Sequence, residues 1–220
     1  PTHKHLGNKS GIINRAKQYE QAGAAAISVI TEKDIFKGDP KFITEIKKVV
    51  SLPILQKDFI LNSNQVYQSK KIGADALLLI AKILSKNELI ALVNLVKKVG
   101  LEPVVEINNN NDLKKAIATK TRIIAVNARN LDTFKIDVDK ACKTIKKVPD
   151  RFIKLGFSGI QSSVEVEKYK QAGVNGVLIG TGLMKTDNIQ NFMLSLREGS
   201  LRPTKQSSQS VEDCHANRSQ

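Results

Sequence analysis

Four polar side chains interrupt or close apolar runs that otherwise have the composition of buried strands. Lys57 closes the run that begins at Ile54, Glu106 lies inside another run, and Asn127 with Arg129 follows a third. Because an unpaired charge is costly to bury, Lys57 and Glu106 form either a structural ion pair or a functional site. At the carboxyl end of a barrel strand the second reading is favoured, since the working residues of barrels collect there.

Two glycine-containing segments follow the last two apolar runs and could bind an anion. Ser158-Gly159 precedes the seventh helix, which a capping box opens at Ser162, and Gly180-Thr181 follows the last strand run. Glycine leaves backbone N–H groups accessible, and phosphate is commonly held by such loops in barrels. The alternative is that these glycines only turn the chain. Together, at these two places, they indicate a phosphate site.

Metal and triad chemistry find little support in the sequence. His3 and His5 could ligate a metal, but no third ligand of suitable spacing accompanies them. The remaining histidine, His215, lies near the carboxyl terminus, so a Ser-His-Asp triad is excluded. Cys142 and Cys214 cannot build a disulfide framework, which indicates a reducing compartment. We expect neither a metal nor a cofactor.

The elements that must position these side chains form a repeated strand–helix pattern. Seven short apolar runs alternate with amphipathic stretches, which is typical of a parallel sheet covered by helices. The runs are 25–30, 54–57, 76–80, 103–107, 123–127, 152–155 and 176–179. With an eighth strand in the polar segment at the start, the pattern predicts an α/β fold, the (β/α)8 or TIM barrel. A doubly wound open sheet is less favoured, because no glycine-rich dinucleotide fingerprint follows any strand.

Several helix ends can be assigned from local signals. Capping boxes at Ser85–Glu88 and Ser162–Glu165 predict two helices, which should end at Gly100 and Gly173. Asp39-Pro40 predicts a further helix, with aspartate as the N-cap and proline as its first residue.

Composition excludes several classes of protein. The 220 residues include 35 Lys plus Arg against 21 Asp plus Glu, a net charge of +14, and 41% are hydrophobic. That hydrophobic fraction excludes wholesale disorder, and no apolar stretch is long enough to cross a bilayer. The lysines come as scattered pairs without interleaved aromatics, so we expect solvated helix faces rather than a nucleic-acid surface. We expect a cytoplasmic monomer or weak homodimer, with a barrel over residues 1–198 and a disordered tail over 199–220.

From about Gly11 to Arg197 the sequence resembles the indole-3-glycerol phosphate synthase family of tryptophan biosynthesis. The resemblance rests on motifs that occur in the family's order. These are Ala24–Glu32, Leu52–Ile60 with its Lys-Asp-Phe, Gly73–Ile80, Glu102–Ile107, Val126–Leu131 with its Asn-x-Arg-Asn-Leu, Ser158–Ile160 and Val177–Gly180.

The resemblance implies a carboxy-lyase acting on a phosphorylated, anthranilate-derived small molecule. The family closes the indole ring of a carboxyphenylamino-deoxyribulose 5-phosphate with loss of CO₂ and water. Lys57 then matches the general acid, Glu106 its acid/base partner and Lys4 a further catalytic lysine. The residues that match substrate contacts are Asn127, Arg129, Phe36, Phe59, Ser158 and Leu178, and those that match phosphate contacts are Gly159, Gly180 and Thr181.

The match departs from the family at three positions. Thr2 and Phe157 stand where the family has glutamate, and Gly7 where it has a phosphate-binding serine. The first strand is therefore degenerate, and the helix that precedes it in the family is missing from this sequence. These departures predict an impaired enzyme, and they keep open an alternative, a catalytically inactive phosphate-ligand-binding barrel or a divergent fragment.

Overall fold

The computed structural model describes residues 9–199, which contain the seven strand–helix units expected from the sequence. The expected eighth strand lies outside these residues, as do Thr2, His3, Lys4, His5 and Gly7. Of the tail expected over residues 199–220, Gly199 is the last residue of a helix, and residues 200–220 lie outside the described part of the chain.

Seven parallel strands form one sheet in sequence order, which curves into a nearly closed barrel. Near-continuous apolar sequences suit such strands because both faces of the sheet are covered. The strands are β1 (Ile27–Ile30), β2 (Ile54–Lys57), β3 (Ala76–Ile80), β4 (Glu102–Ile107), β5 (Ile123–Asn127), β6 (Ile153–Phe157) and β7 (Gly176–Leu178). The TIM-barrel class predicted from the sequence is confirmed.

Helices connect successive strands and cover the outer face of the sheet. They are α1 (Lys9–Gln21), α2 (Lys41–Lys47), α3 (Ser63–Ile72), α4 (Lys86–Lys98), α5 (Asn110–Ile117), α6 (Val138–Ile145), α7 (Ser163–Gln171), α8 (Thr181–Lys185) and α9 (Ile189–Gly199), with a 3-10 turn at Ala81–Ile83. Within residues 9–199, no helix combines the length and apolar character that crossing a bilayer requires.

Alternation along the strands divides the core into two layers. Leu55, Leu78, Val104, Ala125 and Phe157 point into the barrel and pack on one another. The intervening residues face the helices, where they form a larger apolar cluster with α3 to α7. Because side chains alternate with period two, the polar residues at the strand ends fall on the inward face. The sheet therefore brings Lys57, Glu106 and Asn127 to one end of the barrel.

Both predicted capping boxes are present. The side chains of Ser85 and Ser162 each accept a backbone N–H of the first helical turn. In turn, the carboxylates of Glu88 and Glu165 accept the backbone N–H groups of Ser85 and Ser162. The prediction for α2 is off by one residue, since the helix begins at Lys41 and not at Pro40. Asp39 still caps it, because its Oδ1 accepts the Lys41 N–H at 2.9 Å.

Candidate active site

An ion pair stands at the carboxyl end of the barrel, between two strands that are not neighbours. Lys57 ends β2 and Glu106 lies near the end of β4, and Nζ of Lys57 is 3.2 Å from Oε2 of Glu106. The Glu106 side chain is only 3% exposed, whereas that of Lys57 is 29% exposed. The carboxylate is therefore buried and the ammonium reaches the cavity, which is a suitable arrangement for moving a proton between them.

Asn127, at the end of β5, fixes the second oxygen of Glu106. Its Nδ2 donates to Oε1 of Glu106 at 3.0 Å, and its Oδ1 accepts the backbone N–H of Arg129 at 3.0 Å. These two bonds determine which way the amide faces, since only its nitrogen can donate to a carboxylate. The Asn108 side chain, which follows β4, donates to the backbone oxygen of Asn127 at 2.7 Å and so fixes the end of β5. Both oxygens of the buried carboxylate are thus paired, as burial demands.

A small cavity opens beside this ion pair. Its volume is about 60 Å³, and apolar side chains make up most of its wall. Phe36 and Phe59 face it as a tilted pair with ring centroids 6.3 Å apart, joined by Ile80 and Leu131. Aromatic and aliphatic walls beside the Lys57–Glu106 pair are chemically suited to a planar, largely apolar ring that carries a reacting polar group.

Glu32 organises the loop that carries Phe36. Its carboxylate accepts the backbone N–H groups of Asp34, Ile35 and Phe36 at 2.8, 2.9 and 2.8 Å. Partial burial works to raise the pKa of this carboxyl, but the three donated hydrogen bonds outweigh it and hold the pKa below its ordinary value. The ionised carboxylate therefore keeps one aromatic wall of the cavity in place.

A short contact ties the end of β2 to β1. The Thr31 hydroxyl donates to Oδ2 of Asp58, and the Gln56 amide donates to the same hydroxyl oxygen at 3.0 Å. Oδ1 of Asp58 accepts the N–H of Phe59 at 2.8 Å. Together these bonds set the chain direction on either side of Lys57.

Phe157 lies under the ammonium of Lys57, inside the barrel. It ends β6, is 2% exposed, and its ring centroid is 5.8 Å from Nζ of Lys57. That distance is at the outer limit of a cation–π contact. Phe157, which stands where the family has glutamate, therefore belongs to the apolar interior of the barrel next to the charged pair.

The two glycine-containing segments lie next to each other in space. Ser158 and Gly159 have φ of +69° and +81°, so the chain turns through two left-handed residues directly after β6. A Cβ added to Gly182 would lie 3.2 Å from the backbone oxygen of Ile160, which places the loop after β7 against that turn. Gly180 and Thr181 are both exposed beside it. The anion-binding residues predicted from the sequence are thus adjacent.

Not every predicted residue reaches the cavity. The guanidinium of Arg129 turns to the backbone oxygen of Phe134 at 3.1 Å, and Leu178 packs on the inner barrel cluster. Lys4 lies outside the described residues. Sequence reasoning missed Glu32 and Asn108, because each acts on the site through backbone groups and no local pattern marks such contacts.

Comparison with known proteins identifies relatives across most of the chain. The family model described as indole-3-glycerol phosphate synthase matches residues 1–196. The indole-3-glycerol phosphate synthase of Lachnoclostridium phytofermentans is 42% identical over 182 residues, which cover 83% of this chain and 67% of that protein. The enzyme of the same name from Alkaliphilus metalliredigens is 38% identical and aligns over 89% of this chain and 78% of its own.

Among solved structures, 3-hexulose-6-phosphate synthase from Salmonella typhimurium superposes with a TM-score of 0.72 at 16% identity. The match covers 87% of this chain and 93% of that one. At such low identity the superposition speaks for the barrel fold alone.

Proposed function

The chain belongs to the indole-3-glycerol phosphate synthase family of tryptophan biosynthesis, a family of carboxy-lyases, and we propose that its ring closure takes place at the cavity beside Lys57 and Glu106. The observation that carries this proposal is the buried Glu106 carboxylate paired at once with Lys57 and Asn127. The substrate is a carboxyphenylamino-deoxyribulose 5-phosphate.

In the first step, the substrate's aromatic carbon that bears the carboxylate bonds to the ribulose carbonyl carbon. Lys57 donates a proton to the carbonyl oxygen as this bond forms, so that no alkoxide is left in the barrel. The carboxylate then leaves as CO₂, and its bonding electrons restore the aromatic ring. The tilted Phe36–Phe59 pair supports the placing of the ring in this step.

In the second step, the hydroxyl formed from the carbonyl accepts a proton from Lys57, which solvent has reprotonated, and leaves as water. The neighbouring ring carbon loses a proton, which closes the carbon–carbon double bond of the indole. Glu106 takes that proton, and its contact of 3.2 Å with Lys57 allows the two groups to exchange protons between turnovers. Asn127 keeps the Glu106 carboxylate oriented during both steps, since its amide nitrogen donates a hydrogen bond to Oε1 of Glu106.

The phosphate of the substrate is bound by the turn at Ser158-Gly159 and the loop at Gly180-Thr181. Their proximity supports a single phosphate site across the barrel mouth from Lys57. Arg129 reaches the substrate only if its guanidinium leaves the Phe134 backbone oxygen. The alternative of a non-catalytic ligand-binding barrel is not favoured, because Lys57, Glu106 and Asn127 keep a complete hydrogen-bonded set.

A direct turnover assay tests the proposal. Indole absorbance is followed after the full chain is mixed with the carboxyphenylamino-deoxyribulose phosphate. Wild type should turn over, Lys57→Ala should lose activity by about 10²–10⁴-fold, and Lys86→Ala, which alters an exposed lysine on α4, should match wild type. Absence of turnover by folded wild type would overturn the proposed function.

A further inference from the structure

Tyr169 is a fully buried tyrosine on α7 that no step of the proposed reaction uses. Its single hydroxyl hydrogen is shared between two successive backbone oxygens, that of Phe157 at 3.1 Å and that of Ser158 at 2.9 Å. These residues form the end of β6 and the start of the turn that follows it. Burial raises the pKa of the phenol, so the group is protonated and can donate a hydrogen bond at neutral pH.

The turn that Tyr169 contacts has an unfavourable backbone. Ser158 is a non-glycine residue in the left-handed region, with φ of +69°, and Gly159 follows it with φ of +81°. Left-handed residues with a side chain persist only where the surrounding structure holds them. The contacts of the Tyr169 hydroxyl are of this kind, since they fix the carbonyl directions on both sides of the Ser158 Cα.

The tyrosine ring is itself held in one position. It lies against the backbone of Gly156, where an added Cβ would come within 2.5 Å of a ring carbon. Every residue other than glycine would displace the ring at this place. The hydroxyl is therefore aimed at the turn by the packing of α7 on β6.

The turn also offers donors to a ligand. Among residues 9–199, the backbone N–H groups of Gly159 and Ile160 donate to no protein acceptor. The backbone oxygen of Ile160 faces the loop at Gly182, so this turn borders the loop that follows β7. Free backbone donors in a turn of this shape form a concave site for anions.

We propose that Tyr169 is a positioning residue for the substrate phosphate: through the backbone oxygens of Phe157 and Ser158 it holds the turn whose N–H groups bind a phosphate monoester. The inference rests on the proposed function, because the proposed function assigns the substrate phosphate to this turn. It adds a residue on the outer helical layer, which never touches substrate, to those that determine substrate affinity.

The test compares wild type with Tyr169→Phe, which removes one oxygen and keeps the ring. Tyr67→Phe is the matched control, because that tyrosine is 55% exposed on α3. KM and kcat are measured with the carboxyphenylamino-deoxyribulose phosphate, and the Kd of inorganic phosphate is measured from backbone amide NMR shifts. For Tyr169→Phe we expect KM and the phosphate Kd to rise about 5- to 30-fold, as the loss of a hydrogen bond predicts, with kcat little changed.

A lower melting temperature with unchanged KM and phosphate Kd would overturn the inference, since Tyr169 would then be a core residue only. If Tyr169→Phe fails to fold, hydrogen exchange of the backbone amides is measured in wild type instead. Phosphate should slow the exchange of the Gly159 and Ile160 amides. No change at either amide would overturn the proposal. Wild type that binds phosphate without turnover would count against the proposed function instead, and the comparison of Kd values would still decide the role of Tyr169.

Discussion

Nζ of Lys57 and Oε2 of Glu106 meet 3.2 Å apart across the barrel mouth, from strands β2 and β4 with β3 between them. In a barrel, alternate strands contribute the side chains of one interior layer. Phe157, from β6, lies 5.8 Å from the same ammonium and extends this series. The even-numbered strands thus supply a cation, a carboxylate and an aromatic ring to one small space.

Replacement of the carboxylate tests its role as the proton acceptor. Glu106→Gln should lower kcat by about 10²–10⁴-fold and leave KM nearly unchanged, because the amide fills the same space but cannot take a proton. Steady-state kinetics measure both constants. Glu102→Gln on the same strand is the control, since Glu102 pairs with Arg122 at the other end of β4 and should keep wild-type kinetics. Equal losses in both variants would contradict an acid/base role.

Replacement of Asn127 tests the orientation of Glu106. Asn127→Asp puts a carboxylate oxygen in place of the Nδ2 that now donates to Oε1 at 3.0 Å. Two like charges at that distance in a buried place should lower the unfolding free energy by about 3 kcal/mol and reduce kcat. Chemical denaturation measures the first and the turnover assay the second.

Asn130→Asp, three residues later in the loop that follows β5, provides the comparison. Oδ1 of Asn130 accepts the backbone N–H groups of Asp132 and Thr133, a role that a carboxylate can keep. The unfolding free energy of this variant should therefore stay close to that of wild type. A loss as large as that of Asn127→Asp would mean that any charge in this region destabilises the barrel.

Phe157 should contribute strongly to stability. It is 2% exposed among the inward side chains of β2 to β5, so Phe157→Ala should cost about 3–5 kcal/mol of unfolding free energy. Phe134→Ala, at a phenylalanine that is 54% exposed, should change it by less than about 0.5 kcal/mol. Urea denaturation gives both values, and a small effect at Phe157 would show that the barrel interior is loosely packed.

The loop that carries Phe36 should respond to acid. The folded-state pKa of Glu32 lies below its ordinary value of 4.5, so its stabilising bonds are complete above that value. They are lost as the pH falls through the lower, folded-state pKa. The amide resonances of Asp34, Ile35 and Phe36 should therefore shift together with a midpoint below 4.5. A midpoint above it would contradict the structure, and Glu32→Gln should remove the transition.

Much of the site follows from local pattern and much does not. Lys57, Glu106 and Asn127 could be selected from the sequence, because a polar residue that interrupts an apolar strand is conspicuous and alternation places it inside the barrel. Glu32 could not be selected, since it works through three backbone N–H groups of a loop without periodicity. The sequence predicts the start of α2 one residue too early. It marks the cap at Asp39, but it does not mark the residue at which the helical hydrogen bonds begin.

The sequence by itself determined the class of fold, the family and the identity of the charged residues, because apolar periodicity, capping boxes and motif order are all local or linear properties. The tertiary structure alone decided which of these residues meet. Curvature of the sheet pairs Lys57 with Glu106 across an intervening strand, and packing of α7 on β6 brings Tyr169 from the outer layer to the back of the turn at Ser158. Such contacts join residues 49 and 11 positions apart in the chain, a separation that only packing of the strands and helices bridges.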